Sequence, residues 1–215
     1  MPEQSALDFA FSREDIDDLI TLVNRRRVLK RPVFHYTTPS VLIAILGAGE
    51  IQPRTKLTTC PSEHPVAYFT FDPMWEPMVY KSPITASEYY TQQLGMARIG
   101  IANRGLLKWG ELVRAAQIET NVQRGGFDVA DATRAGSSVQ LWLGSLEPVD
   151  LERWKMIQVV RNRQWVPLSG YDELAELVDL EMKTREHHET LKDDPMVYFE
   201  ANRRKEEILK ANRAA

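Results

Sequence analysis

Hydrophobic positions near the start of the chain recur at the spacing of an amphipathic helix. In FSREDIDDLITLVNRRR, four apolar residues follow one another at intervals of three, one and three positions: Ile16, Leu19, Ile20 and Val23. Ser12 precedes Asp15 by three residues, which is the pattern of a capping box at a helix start. The acidic first turn and the basic end suit the helix dipole, so the pattern predicts a helix from Ser12 to the arginines at 25–27.

The segment PVFHYTTPSVLIAILGAGEIQPR combines a short apolar strand with a short helix. Residues 33–37 are typical of a strand, and Thr38 and Pro39 suit the N-cap and the first helical position. We expect a helix over residues 41–46 that ends at Gly47 or Gly49. The polar residues cluster where the strand ends, which is more typical of a site than of a core.

The rest of the chain alternates irregularly between strand and helix patterns. Strands are predicted within residues 66–72, 97–103, 139–146, 155–160 and 164–168. Helices are predicted at 85–95 and at 109–124, the latter with four inward-facing residues, Leu112, Val113, Ala116 and Val122. Gly, Ser and Asp make residues 127–138 typical of a loop, and from Tyr171 onwards the chain is helical, charged and interrupted at Pro195.

This order of elements predicts the α+β class, because strands and helices are mixed without a repeating unit. We expect one domain at residues 31–168, an N-terminal helical flank at 1–30 and a charged helical C-terminal extension at 169–215 that packs weakly.

Charge and hydropathy restrict the classes of partner. The 215 residues carry 27 basic and 30 acidic side chains, a formal net charge of −3, so nothing draws the whole chain to nucleic acid or an anionic membrane. A local basic patch is compatible with this net charge. The arginines at residues 25–27 fit either a solvated helix end or a contact with phosphate. No apolar run approaches the ~20 residues of a membrane span, so we expect a soluble cytoplasmic protein.

Several common types of site are excluded by the residues present. Cys60 is the only cysteine, which excludes an intramolecular disulfide and a multi-cysteine metal site. The chain has no Gly-rich phosphate loop, no G-x-S-x-G elbow and no H-E-x-x-H motif. His187 and His188 are adjacent on a predicted helix and point roughly 100° apart, so we expect a solvated surface there and no metal site.

His35 is the strongest candidate for chemistry. An imidazole at a strand end can bind a ligand hydroxyl while neighbouring N–H and C=O groups grip an amide, which suits a nicotinamide riboside. The alternative for a single histidine is a structural hydrogen bond. Five tryptophans are more typical of core than of ligand platforms, except Trp75, which lies between two prolines on a predicted surface loop.

The order FHYTTPSVLIAILGAGEIQP and then AYFT, within residues 32–82, resembles the ADP-ribosyltransferase superfamily. The resemblance is to its His-Tyr-Glu group, which includes the diphtheria-toxin-like and poly-ADP-ribose-polymerase-like transferases. It implies an ADP-ribosyltransferase-like split β-sheet core with flanking helices, and NAD as the substrate.

The resemblance also implies roles for individual residues. His35 would bind the adenosine-side ribose, the main chain of Tyr36 would hold the nicotinamide carboxamide, and Thr37 would assist at a ribose hydroxyl. Tyr68 would stack on nicotinamide, with Trp75 or Tyr80 as a second aromatic wall. The family often has glycine where this chain has Tyr36, and a main-chain contact tolerates that change.

Glu147 is the candidate for the catalytic glutamate, because it follows a predicted strand. Three other acids fall on a helix or a turn, Glu111, Glu119 and Glu152. A solvated side chain is the alternative for Glu147. The expected activity is cleavage of the nicotinamide–ribose bond with transfer of ADP-ribose to a protein or nucleic-acid acceptor. The alternatives are a non-catalytic binding module of the same fold and an RNA-end phosphotransferase-like enzyme, with His64 as a second histidine.

Overall fold

A computed structural model describes residues 12–26, 30–54, 57–74, 76, 96–134, 137–162 and 164–192 of the chain. Three predictions lie outside these residues: the aromatic wall of Trp75 or Tyr80, the helix at 85–95, and the last helix of the C-terminal extension. Within the described residues no helix is both long and apolar enough to cross a membrane.

Five α-helices are described: α1 (Arg13–Asn24), α2 (Pro39–Ala48), α3 (Trp109–Ala115), α4 (Val129–Arg134) and α5 (Tyr171–Lys192). The predicted caps are confirmed. Ser12 and Asp15 form a capping box on α1, and the Thr38 side chain accepts a hydrogen bond from Val41 N–H at the start of α2. Helix α2 ends at Gly49, whose φ of 68° is a left-handed conformation that glycine adopts without strain.

Nine strands form two sheets in the described part of the chain. They are β1 (Val33–Thr37), β2 (Glu50–Ile51), β3 (Ala67–Thr70), β4 (Ala97–Ile101), β5 (Leu107–Lys108), β6 (Trp142–Ser145), β7 (Val149–Asp150), β8 (Trp154–Arg161) and β9 (Gln164–Pro167). Seven of them form an antiparallel sheet in the order β5-β6-β3-β1-β4-β8-β9, and β2 pairs with β7. The α+β class is thereby confirmed.

The prediction of one helix over residues 109–124 is wrong in its second half. Helix α3 ends at Ala115, and Gln117 has a φ of 54°, which breaks the helical path. The buried residue after the break is Ile118, whereas Val122, predicted to face inward, is 56% exposed. The apolar spacing continues through the break, so periodicity alone does not locate it.

The prediction of a loop over residues 127–138 is also wrong, because it contains α4. Asp128 begins this helix, since its carboxylate accepts a hydrogen bond from Ala130 N–H at 2.7 Å. Ala132 is fully buried and attaches the short helix to the core. Packing thus stabilises a helix of six residues that would be marginal in isolation.

The seven-stranded sheet has a core on each face. On one face, here called the helical face, α1, α2 and α5 pack against alternate strand residues such as Val33, Phe69 and Ile99. On the other, here called the aromatic face, α3 and α4 pack with Val66 and Trp142, and Tyr68 lies against this second core.

Helix α5 begins inside the core and not beyond it. Leu174 and Leu177 are 0% and 1% exposed and belong to the helical-face core, and the Glu181 side chain is fully buried. The first turns of α5 therefore complete the domain, although the sequence placed them in a weakly packed extension that begins at residue 169.

Candidate functional site

The seven-stranded sheet narrows between β1 and β3. Strand β1 pairs with β4 over five registered positions, and β3 pairs with β6 over four. Between β1 and β3 only Phe34 and Thr70 are registered. The ladder thus opens beyond this pair, towards Tyr36 and Tyr68, and separates the sheet into β5-β6-β3 and β1-β4-β8-β9.

The direction of the main-chain groups around this opening follows from the ladders on either side. In an antiparallel sheet, alternate residues direct their N–H and C=O groups to opposite neighbours. Phe71 N–H donates to the Leu141 carbonyl, which lies on the β6 side of β3. Tyr68, three residues before Phe71, therefore directs its main-chain groups to β1.

The same reasoning applies to β1. Val160 N–H donates to the Met96 carbonyl, so β4 directs the main-chain groups of Ala97, Ile99 and Ile101 to β1. Their registered partners on β1 are Thr37, His35 and Val33. Tyr36, at an intervening position, therefore directs its N–H and C=O towards β3, into the opening.

His35 occupies the place where the ladder stops. Its Nδ1 lies 2.9 Å from the Tyr68 carbonyl oxygen, so Nδ1 carries the proton and donates it. Its ring lies on the helical face, 5.5 Å from the ring of Phe69. Burial lowers the pKa of His35 more than the hydrogen bond to the Tyr68 carbonyl raises it, so the ring is neutral at pH 7 and Nε2 is an acceptor.

Tyr68 presents its ring on the aromatic face and a hydroxyl without a partner. The ring lies edge-on to Trp142 at 5.9 Å. Within the described residues, the Tyr68 hydroxyl is the single buried side-chain oxygen or nitrogen that has no hydrogen bond. Burial and, to a lesser extent, the nearby Glu63 carboxylate raise its pKa, so it stays protonated and able to donate. Such a group is costly unless something binds it.

The side chain of Tyr36 belongs to a second polar group on the aromatic face. Its hydroxyl donates to the Asp72 carbonyl at 2.7 Å and accepts from Arg98 Nη1 at 3.3 Å. Arg98 also donates from Nε and Nη2 to Gln158 Oε1, at 2.9 and 2.7 Å. Its guanidinium lies 3.9 and 4.2 Å from the ring centroids of Phe34 and Trp165, so the buried cation is stacked between two rings.

These side chains also hold the segment that leaves β3. Arg98 donates to the Pro73 carbonyl, and Trp165 Nε1 donates to the Met74 carbonyl at 2.8 Å. One step further along, the buried Glu76 carboxylate accepts from Ser137 and from Trp142 Nε1. The loop that follows β3 is therefore attached to the aromatic face of the sheet, through Arg98, Trp165 and Trp142.

Thr37 and the start of α2 follow His35 and Tyr36 at the C-terminal end of β1. Thr37 is 4% exposed on the helical face. Ser40, in the first turn of α2, donates from N–H and Oγ to the Glu181 carboxylate of α5, at 2.9 and 3.0 Å. A buried carboxylate at a helix N-terminus meets the positive end of the helix dipole. The C-terminal helix thus fixes the turn from β1 to α2, which begins three residues after His35.

Glu147 lies beyond the end of β6, at the same edge of the sheet as the opening. Gly144 of β6 is registered with Tyr68, and Glu147 follows three residues later, about 10 Å along an extended strand. Its side chain is exposed, and no hydrogen bond or ion pair of its carboxylate occurs among the described residues. The fold thus places Glu147 at the same edge of the sheet as the opening, and not against His35 or Tyr68.

Arg98 and Gln158 were not singled out from the sequence. A signal was present, because Arg98 stands between Ala97 and Ile99 in the strand ARIGI. A charged residue between apolar ones in a central strand is expected to be buried, and a buried charge needs hydrogen-bond or charge partners.

Of the predicted site residues, His35, Tyr36 and Tyr68 are brought to one opening, Thr37 lies one residue beyond it, and Glu147 lies at its edge. Comparison of the chain with protein-family models, with curated proteins and with solved structures finds no match.

Proposed function

We propose that the protein is an NAD-dependent ADP-ribosyltransferase, which cleaves the nicotinamide–ribose bond and transfers ADP-ribose to a protein or nucleic-acid acceptor. The observation that carries the proposal is the opening between β1 and β3, with His35 on one side and Tyr68 on the other. The split-sheet ADP-ribosyltransferase fold belongs to the same proposal, and the single registered pair between the two parts of the sheet supports it.

The main chain of Tyr36 supports the nicotinamide contact. One residue there directs both a donor and an acceptor into the opening, and a carboxamide offers the complementary acceptor and donor. The bulk of the tyrosine does not interfere, because its ring is turned to the aromatic face and bound to Asp72 and Arg98. A ligand at the opening meets the Tyr68 phenol on this face.

His35 supports the ribose contact. With Nδ1 donating to Tyr68, the neutral ring offers Nε2 as an acceptor for a sugar hydroxyl, and the hydrogen bond fixes the ring orientation. Cleavage of the nicotinamide–ribose bond develops positive charge on the sugar, which a nearby carboxylate stabilises. Glu147 takes this role when the turn at residues 146–148 folds over the edge of the sheet, where it binds the ribose 2′-hydroxyl.

Nicotinamide release from NAD by the purified protein tests the proposal, with and without a cell lysate that supplies acceptors. Glu147→Gln should lower release about 100-fold or more. The matched control is Glu152→Gln, an exposed acid before β8, which should leave release unchanged. In calorimetry, His35→Ala should weaken NAD binding, whereas His64→Ala, at an exposed histidine, should not.

The outcomes separate the alternatives. NAD binding without release, insensitive to Glu147, indicates a binding module. If the protein neither binds NAD nor releases nicotinamide, the proposal is rejected, and the opening is then a site for another ligand.

A further inference from the structure

A cluster of cations lies at the edge of the sheet opposite to His35 and Tyr68. The N-terminal end of β1, the C-terminal end of β4 and the N-terminal end of β8 meet there, because Val33 is registered with Ile101 and Ile101 with Trp154. The cations at or just outside these ends, with the C-cap of α1, form what we call the basic edge: Arg25, Lys30, Arg31, Arg104, Arg153 and Lys155.

A groove joins the β4 and β8 ends within the basic edge. This open groove of about 440 Å³ is lined by Arg104, Arg153 and Lys155, together with Ala102, Gly105 and Glu152. Arg153 donates to the Arg104 carbonyl, which joins the β8 and β4 ends. Arg26, next to the C-cap of α1, donates to the carbonyls of Leu151, Glu152 and Trp154, and Glu152 lines the groove.

Among the described residues, none of the six side chains of the basic edge forms an ion pair, and Arg153 alone forms a hydrogen bond, to the Arg104 carbonyl. The ion pairs of the described residues involve Arg13, Arg161 and Lys183. Glu152 is the one acid in the groove lining. The helix dipole of α1 accounts for Arg25, but not for the cations at the strand ends. The chain as a whole carries a net charge of −3, so these six cations make the local charge opposite in sign to the overall charge. Solvation of the surface alone does not explain this concentration of positive charge.

We infer that the basic edge binds nucleic acid through the phosphate backbone, independently of any NAD chemistry. Neighbouring strands are ~4.8 Å apart, so cations from three adjacent ends form a row, which matches a linear series of phosphates. Four of the six are arginines, whose guanidinium groups bind phosphate in a bidentate manner.

The surroundings of the groove favour nucleic acid over an anionic membrane. A membrane-bound surface normally adds apolar side chains that enter the lipid. Among the described residues, the exposed large apolar side chains lie outside the groove, and only Leu22 is near in sequence, one turn before Arg25.

The experiment is fluorescence anisotropy with labelled short DNA and RNA oligonucleotides, single-stranded and duplex, at about 50 and 200 mM salt. With four to six phosphate contacts, affinity should fall roughly 10²- to 10³-fold between these salt concentrations. Arg104→Glu/Lys155→Glu should weaken binding at least about tenfold at the lower salt, as expected when phosphate contacts are lost. Arg114→Glu/Arg124→Glu is the control, because it changes two exposed arginines near α3 by the same charge and should bind as the unchanged protein does.

Three results would overturn the inference. They are no saturable oligonucleotide binding at the lower salt, an equal loss in the control, and binding to phosphatidylserine vesicles in place of oligonucleotides. Thermal melting of each variant shows that it is folded before its binding is interpreted.

Discussion

The His35 imidazole donates to the Tyr68 carbonyl where the main-chain ladder between their strands ends. In a continuing ladder, that carbonyl faces a main-chain N–H of β1. The His35 side chain thus replaces a main-chain N–H as the donor to the Tyr68 carbonyl, and the main-chain groups of Tyr36 face the opening. A structural role and a ligand role for His35 are compatible, because Nδ1 serves the first and Nε2 the second.

This arrangement predicts that His35 makes stability depend on pH. Burial lowers the pKa of His35 in the folded protein. Between this lowered pKa and the unfolded value of about 6.5, the unfolded chain binds more protons, so the free energy of unfolding rises with pH. The contribution of His35 is fully present above about pH 6.5 and is lost as the pH falls towards the folded pKa.

Urea unfolding of the unchanged protein and of His35→Gln across this window measures the effect. The substitution should flatten the pH dependence, whereas His64→Gln, at an exposed histidine, should leave it in place. Equal slopes in all three proteins would contradict the prediction.

Removal of the Tyr68 hydroxyl should not destabilise the free protein. That hydroxyl is buried without a partner, so Tyr68→Phe should change the free energy of unfolding by about 0 to 1 kcal/mol in the stabilising direction. Tyr36→Phe is the matched comparison, because its hydroxyl has two partners, and it should cost about 1–3 kcal/mol. Chemical denaturation distinguishes the two. A loss of stability in Tyr68→Phe as large as that in Tyr36→Phe would mean that the Tyr68 hydroxyl is bound in the free protein.

Arg98→Lys should be costly although the charge is kept. A lysine cannot span Gln158, Tyr36 and Pro73, and its ammonium does not stack between Phe34 and Trp165 as a planar guanidinium does. We expect a loss of about 2–3 kcal/mol in the free energy of unfolding, typical of a broken buried network. Arg114→Lys, at an exposed position on α3, should remain within about 0.5 kcal/mol. Similar values for both substitutions in urea unfolding would show that Arg98 is only a space-filling group.

The elements near the opening were predictable because their signals are local. The strand at Val33–Thr37, the Thr38 cap and the Gly49 stop each depend on a few neighbouring residues, and all three are confirmed. The meeting of His35 with Tyr68 was not predictable, because it depends on where a ladder between distant segments stops. The break after α3 and the helix α4 were missed for the same reason, since packing of Ile118 and Ala132 decides them.

The last prediction concerns the link between α5 and the turn that follows β1, the strand of His35. Glu181 is fully buried and accepts two hydrogen bonds from Ser40 in the first turn of α2. Glu181→Ala removes both carboxylate acceptors from the half-buried N–H and hydroxyl of Ser40, so we expect a loss of about 1–3 kcal/mol in the free energy of unfolding.

Glu176→Ala is the matched control, because Glu176 is an exposed acid on the same helix and its loss should cost less than about 0.5 kcal/mol. Hydrogen exchange extends the test to the site: in Glu181→Ala the amides at the start of α2 should exchange faster, because the first helical turn loses its acceptor. If exchange there is unchanged while stability falls, Glu181 stabilises the core without fixing the turn after His35. Faster exchange confined to α2, with the β1–β4 ladder still protected, would establish that the C-terminal helix fixes the turn next to the candidate site.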